Sequence, residues 1–194
     1  LLSLPFSSFL SFFLVSYFST LVLFFSIHPE VEDAMTKLYF RHFADDEDGK
    51  MGCFESEEME IPLNIHIDNY EECSEMPEGP CQVEIYGIGS QIEVYETEEA
   101  FRASGSPMAE VSLIPIGTFP ADPADDSVQP SPHILFAGKV LYVEKNSSAE
   151  PDDPNYFLFI QTLEITVNLY LQYEGEIKEG NTVYGVAWLY GNIG

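Results

Sequence analysis

Few side chains in this sequence are placed to do chemistry, and the best set lies on one short segment. In Ile61-Pro-Leu-Asn-Ile-His-Ile67 the residues Ile61, Leu63, Ile65 and Ile67 fall on one face, while Asn64, His66 and Asp68 fall on the other. A histidine that titrates near neutrality beside a carboxylate can act as a general base. His66 and Asp68 are therefore the weak catalytic candidates, and with nearby carboxylates they would make the site of a small hydrolase or metal-dependent enzyme. Against this, strand alternation alone puts polar groups on a solvent face, and no nucleophile motif accompanies them. Phosphate-binding loops, H-E-x-x-H and G-x-S-x-G are absent from the sequence.

Two metal patterns can be tested in the same way. Asp46, Asp48 and Glu55, with Gly49, match part of a calcium loop counted from position 44. The first ligand position is Ala44, however, and Lys37–Phe43 alternates like a strand where an EF-hand needs a helix. A solvated hairpin turn is the expected reading. The three cysteines, Cys53, Cys73 and Cys81, form no C-x-x-C pair and fit no zinc spacing with His66. They read as reduced thiols filling gaps in a sheet. No cofactor and no metal site is expected.

The third pattern is aromatic. Tyr184, Val186, Trp188 and Tyr190 share one face of the final strand, and Val183, Gly185, Ala187 and Leu189 share the other. The second set suits a tight barrel interior. The first must pack under the N-terminal half or form a partner surface, with Tyr184, Trp188 and Tyr190 as its anchors.

The elements that carry these residues read as mainly β. Short segments of period two are separated by Gly, Pro, Asn and Asp. Val83/Ile85 and Ile92/Val94 flank Gly87-Ile-Gly-Ser90, which predicts a hairpin turn. Residues 97–105 predict one short helix, capped by Thr97 and ended by Gly105. Val111–Ile116 predicts a strand, and residues 117–133 a Pro/Asp-rich loop. A long strand over Ile134–Lys145 is interrupted at Gly138, where a bulge or bend is expected. Strands at Tyr156–Thr162, Ile165–Leu171 and Val183–Ile193 follow. No internal repeat is evident. The pattern is that of a small OB-like β-barrel, closed or partly open, with one short helix that could plug an end.

Phe136-Ala-Gly-Lys-Val140 and Trp188-Leu-Tyr-Gly-Asn-Ile193 resemble segments of an uncharacterised family of acidic cytosolic proteins from Gram-positive gut bacteria. The resemblance covers mainly residues 134–193 and implies an OB-like barrel without implying an activity.

Charge sets the class of partner. The 194 residues carry 33 Asp and Glu against 7 Lys and Arg, a formal net charge of −26, with 45% hydrophobic residues. The apolar content is too high for a disordered acidic tail. A nucleic-acid binder needs clustered cations to displace counterions from phosphates, so nucleic acid is excluded as a partner. The surface would instead attract a basic protein. A bacterial immunity-type protein that neutralises a basic toxin, or a protein that imitates the charge of DNA, would fit.

Residues 1–27 are uncharged and dominated by Leu, Phe and Ser, and the first methionine is Met35. Residues 1–34 read as upstream DNA translated in frame, with Val31-Glu32-Asp33 encoding a ribosome-binding site. The domain is then 35–194, acidic, β-rich and cytoplasmic. The alternative is a membrane anchor at residues 1–27 bearing the acidic domain outside the membrane.

Overall fold

The computed structural model describes residues 35–46, 49–73, 79–117, 130–150 and 153–194, with the side chains of 45, 46 and 49 left aside. All belong to the compact unit Ala34–Gly194. Among them run nine strands and one helix: β1 Met35–Asp46, β2 Gly49–Ser56, β3 Pro62–Ile67, β4 Pro80–Tyr95, α1 Glu98–Ala103, β5 Ser112–Ile116, β6 His133–Lys145, β7 Tyr156–Gln161, β8 Thr166–Leu171 and β9 Thr182–Ile193. The protein is mainly β, as its alternating sequence predicts. The expected leader or anchor at 1–27, and most of the expected proline loop, lie outside the described residues.

The sheet is ring-like. Its strand order is β1-β2-β3-β9-β4-β8-β7-β6-β5, with β1 also paired to β4 and β9 to β6. These extra pairings close two circuits of five strands each, the strand number of an OB-like barrel. One circuit runs β1-β2-β3-β9-β4 and returns to β1; the other runs β6-β7-β8-β4-β9 and returns to β6. Both share the long antiparallel β4–β9 pair, and each is closed by one parallel pairing, β3 with β9 and β4 with β8. β5 pairs only with β6, and its Pro115 blunts the edge it leaves open.

The two circuits are copies of one arrangement. β1 shifts register between Phe40 and His42 as it pairs with β2, and β6 shifts register between Val140 and Tyr142 as it pairs with β7. Cys53 faces Asn64 where Phe159 faces Asn168, and Met51 faces His66 where Phe157 faces Tyr170. Met35 opposes Glu84 on β4 as Leu135 opposes Val186 on β9. Even the hairpin loops agree. Ser56 N–H donates to Ile61 O and Thr162 N–H to Ile165 O, and the preceding residues, Glu60 and Glu164, have φ of 53° and 65°.

A repeat is therefore present where the sequence suggested none. Its clearest trace is Glu60-Ile-Pro-Leu-Asn-Ile-His-Ile67 against Glu164-Ile-Thr-Val-Asn-Leu-Tyr-Leu171. The two keep the alternation and three identical residues, while elsewhere the aligned side chains differ even in class, as Glu84 against Val186 and Arg41 against Leu141.

One continuous core fills both circuits. It takes the inward residues Leu63, Ile65, Val83 and Ile85 from the first half and Val167, Leu169, Val183, Ala187 and Leu189 from the second. This agrees with the expected inward face of β9. Two expectations fail. Gly87-Ile-Gly-Ser90 is not a turn: β4 runs unbroken through it, and neither glycine has a positive φ, which such a turn requires. The irregularity comes later, where the pairing with β9 shifts register between Ser90 and Glu93 and Gln91 has φ 52°.

The bulge expected at Gly138 falls instead between Val140 and Tyr142. Gly138 is needed for close approach, since a Cβ there would lie 2.8 Å from Gln161 O and 3.2 Å from Thr162 Cγ2. α1 forms as predicted. Thr97 accepts from Ala100 N–H, Gly105 follows at φ 81°, and Phe101 is completely buried. Gly138→Ala should force a backbone shift and cost about 1–3 kcal/mol. Urea unfolding would show this as a lower midpoint with an unchanged slope.

Candidate functional site

The outward face of the β4–β9 pair and its neighbours holds the polar and aromatic side chains that the core excludes. Because side chains alternate along each strand, the observed register sorts them into lateral rows. Asp68 follows β3 and donates its N–H to Gly191 O, which places it beside Asn192 of β9; Asn192 opposes Glu84 of β4. The next row is His66 of β3, Tyr190 of β9, Tyr86 of β4, Asn168 of β8 and Phe159 of β7. Beyond it lie His133 of β6, Trp188 of β9, Ile88 of β4, Tyr170 of β8 and Phe157 of β7.

The rings of these rows touch. Tyr86 and Tyr190 stack at 5.6 Å with 10° between planes, and His66 lies 5.6 Å from Tyr190 and 5.9 Å from Trp188. Trp188 is 6.0 Å from Tyr190 and 4.9 Å from His133. His66 and Tyr86 are buried, whereas Trp188, Tyr190, Asn192, Asp68 and Glu84 are half-buried. Trp188 Nε1 is buried without a hydrogen-bond partner.

The electrostatics follow from burial. Desolvation raises the Asp68 carboxyl from its ordinary 3.8 to about 6, and Asp68 Oδ2 is buried with no hydrogen-bond partner. Glu84 is also raised by burial, against an opposing hydrogen bond from Asn192. Burial lowers His133, and the neighbouring His66 lowers it further, while Ser131 Oγ meets His133 Nδ1.

The structure brings His66 and Asp68 to one face, but His66 is a buried ring against Tyr190 and Trp188 rather than the base of an open cleft. Of the expected aromatic anchors, Trp188 and Tyr190 lie together. Tyr184 sits further along β9, 5.9 Å from Phe101 of α1. Glu55 pairs with Arg41 across β1 and β2, while the Asp48 residue and the Asp46 side chain lie outside what is described. Among the described residues, no group of three His, Cys, Asp or Glu is arranged to hold a metal ion. The three cysteines are free, and burial is the main cause raising each thiol above its ordinary value.

Sequence reading missed Glu84, Tyr86, His133 and Asn168. Glu84 and Tyr86 alternate with Val83 and Ile85, so their outward direction was legible; the strands beside them were not.

This is a mainly β protein with a ring-like, internally duplicated sheet and an acidic and aromatic outer face. No family model, curated protein or solved structure matches the chain. No helix among the described residues is long and apolar enough to cross a membrane.

A raised carboxyl value means that the folded state holds the proton more tightly than the unfolded chain. The contribution of Asp68 to stability therefore falls as pH rises from about 4 to about 6. Asp68→Asn should gain in melting temperature over the wild type across that window, and the gain should level off above it. The duplicated asparagines should differ in sign. Asn168 is completely buried with both amide atoms unpartnered, whereas Asn64 Nδ2 donates to Ser131 O at 3.3 Å. Asn168→Leu should stabilise by about 1 kcal/mol and Asn64→Leu destabilise by a similar amount, as read by urea unfolding.

Proposed function

We propose that this chain is a non-enzymatic, cytoplasmic protein-interaction module for a basic partner. The observation that carries the reading is how its few cations are used. Lys37 pairs with Glu57, Arg41 with Glu55, Arg102 with Glu98 and Glu110, and Lys178 with Glu176. Lys145 lies 5.0 Å from the centre of the Tyr156 ring. Local pairing absorbs most of the positive charge, and the large excess of carboxylates is left to project a negative field. Such a field raises association rates with cationic proteins and repels phosphate backbones.

The hydrolase alternative loses ground on geometry. His66 is buried against the rings of Tyr190 and Trp188, and among the described residues no hydrogen bond joins a carboxylate to the His133 ring that Ser131 meets. A nona-arginine peptide titrated into the protein by calorimetry is the direct test. Binding should be measurable at 20 mM salt and weaken by about tenfold or more at 200 mM, as screening predicts. No binding at low salt, or binding indifferent to salt, would remove the proposal.

A further inference from the structure

Three of the six large hydrophobic side chains exposed among the described residues fall on one strip of the outer sheet face. Ile114 of β5 opposes Leu135 of β6, which opposes Val186 of β9. In the adjoining row Ile116 of β5 opposes His133 of β6, and Trp188 of β9 and Ile88 of β4 follow. Ile114, Ile116 and Ile88 are 48%, 40% and 36% exposed, and Leu135, Val186 and Trp188 are half-buried. No Asp, Glu, Lys or Arg stands in either row between β5 and β4, although the chain carries 33 acids.

The architecture does not demand this apolar surface. In the duplicated frame Val186 and Ser90 correspond to Glu84 and Asn192, so the same outward position accepts an acid. β5 supplies two of the three exposed isoleucines and has no counterpart among the described residues of the first half. Adjacent strands lie about 4.8 Å apart, so the strip is about 14 Å long from β5 to β4, between two and three turns of an α-helix. Contiguous exposed apolar side chains rimmed by polar ones mark a contact surface.

Charge decides what can lie there. On one side Glu93 opposes Tyr184, and Phe101 packs α1 against the same tyrosine with Glu98 and Glu99 in its first turn. On the other side, past the row of Tyr190 and Tyr86, stand Asp68 and Glu84. Beyond Ile88 the second row runs through Tyr170 and Phe157 to Glu144. Arg102, the cation of α1, is already paired with Glu98 and Glu110. A second copy of the chain would set like charges against one another, whereas a segment with an apolar centre and cationic flanks meets opposite charge on both sides.

Building on the basic-partner reading, we propose that this strip is the docking surface for an amphipathic basic helix of that partner. Apolar side chains of the helix cover Ile88, Trp188, Ile114 and Ile116, and lysines or arginines on its flanks face the surrounding carboxylates. Trp188, the single tryptophan of the chain, lies within the strip and reports its occupancy.

The test is a tryptophan-fluorescence titration of the full chain with an amphipathic peptide, Leu-Lys-Lys-Leu-Leu-Lys-Leu repeated twice, and with hexa-lysine of equal charge. Wild type is compared with Ile88→Ser/Ile114→Ser, with the single edge change Ile116→Ser, and with Met59→Ser, which alters an exposed apolar residue outside the strip. Thermal melts establish that each is folded. Wild type should bind the amphipathic peptide about tenfold or more tightly than hexa-lysine, with Trp188 emission moving to shorter wavelength. Ile88→Ser/Ile114→Ser should lose most of that preference, Ile116→Ser part of it, and Met59→Ser should stay within about twofold of wild type. Equal affinity of wild type for the two peptides, or undiminished binding of the amphipathic peptide by the strip variants, would overturn this docking surface and leave the basic-partner reading standing. Failure of wild type to bind either peptide would overturn both.

Discussion

The antiparallel pairing of β4 with β9 is the constraint on which the rest of the molecule depends. Each strand uses one edge for the other and divides its second edge between two neighbours. β4 gives its start to β1 and its middle to β8; β9 gives its first part to β6 and its end to β3. Two separate meanders are held by one ribbon, and neither circuit can close without it. The inward side chains of the ribbon, among them Val83, Ile85, Val183, Ala187 and Leu189, join the two circuits into one core. Loss of this pair would expose strand edges in both halves at once.

The duplicated frame separates what the fold requires from what the surface adds. Register, bulge position and left-handed loop residue recur in both halves because ladder geometry dictates them. Outward side chains are free of that demand, and there the halves part. His66 answers to Tyr170, Tyr190 to Ile88, and the acids Asp68 and Glu84 to Gln172 and Val186. The cost of desolvating two carboxylates falls on one half only, beside the richest grouping of aromatic rings on the outer face.

The charge distribution has a physical logic of its own. Ion pairs such as Lys37 with Glu57 and Arg102 with Glu110 are exposed and contribute little to stability. Each pair neutralises one carboxylate locally and leaves the net charge of −26 unchanged. The cohesion of the molecule comes from its apolar core, and the acids are carried outside it at some cost in self-repulsion.

The sequence by itself determined the class of structure and the direction of most side chains. Period-two alternation over Ile61–Ile67 and over Val183–Tyr190 sorted inward from outward residues correctly, because that alternation is a property of a single strand. Thr97 and Gly105 marked the helix ends for an equally local reason. Only the tertiary structure decided which strands lie side by side. Gly87 and Gly89 looked like a turn because glycine permits one, yet at these positions the side chains packed around them keep the strand extended. Asp68, Asn192 and Glu84 are far apart in the chain and meet only because β9 lies between β3 and β4. The repeat stayed hidden because what it conserves is hydrogen-bond register, which many sequences of the same alternation satisfy equally well. Neighbourhood in a sheet is a non-local quantity, fixed by how the whole chain buries its apolar faces.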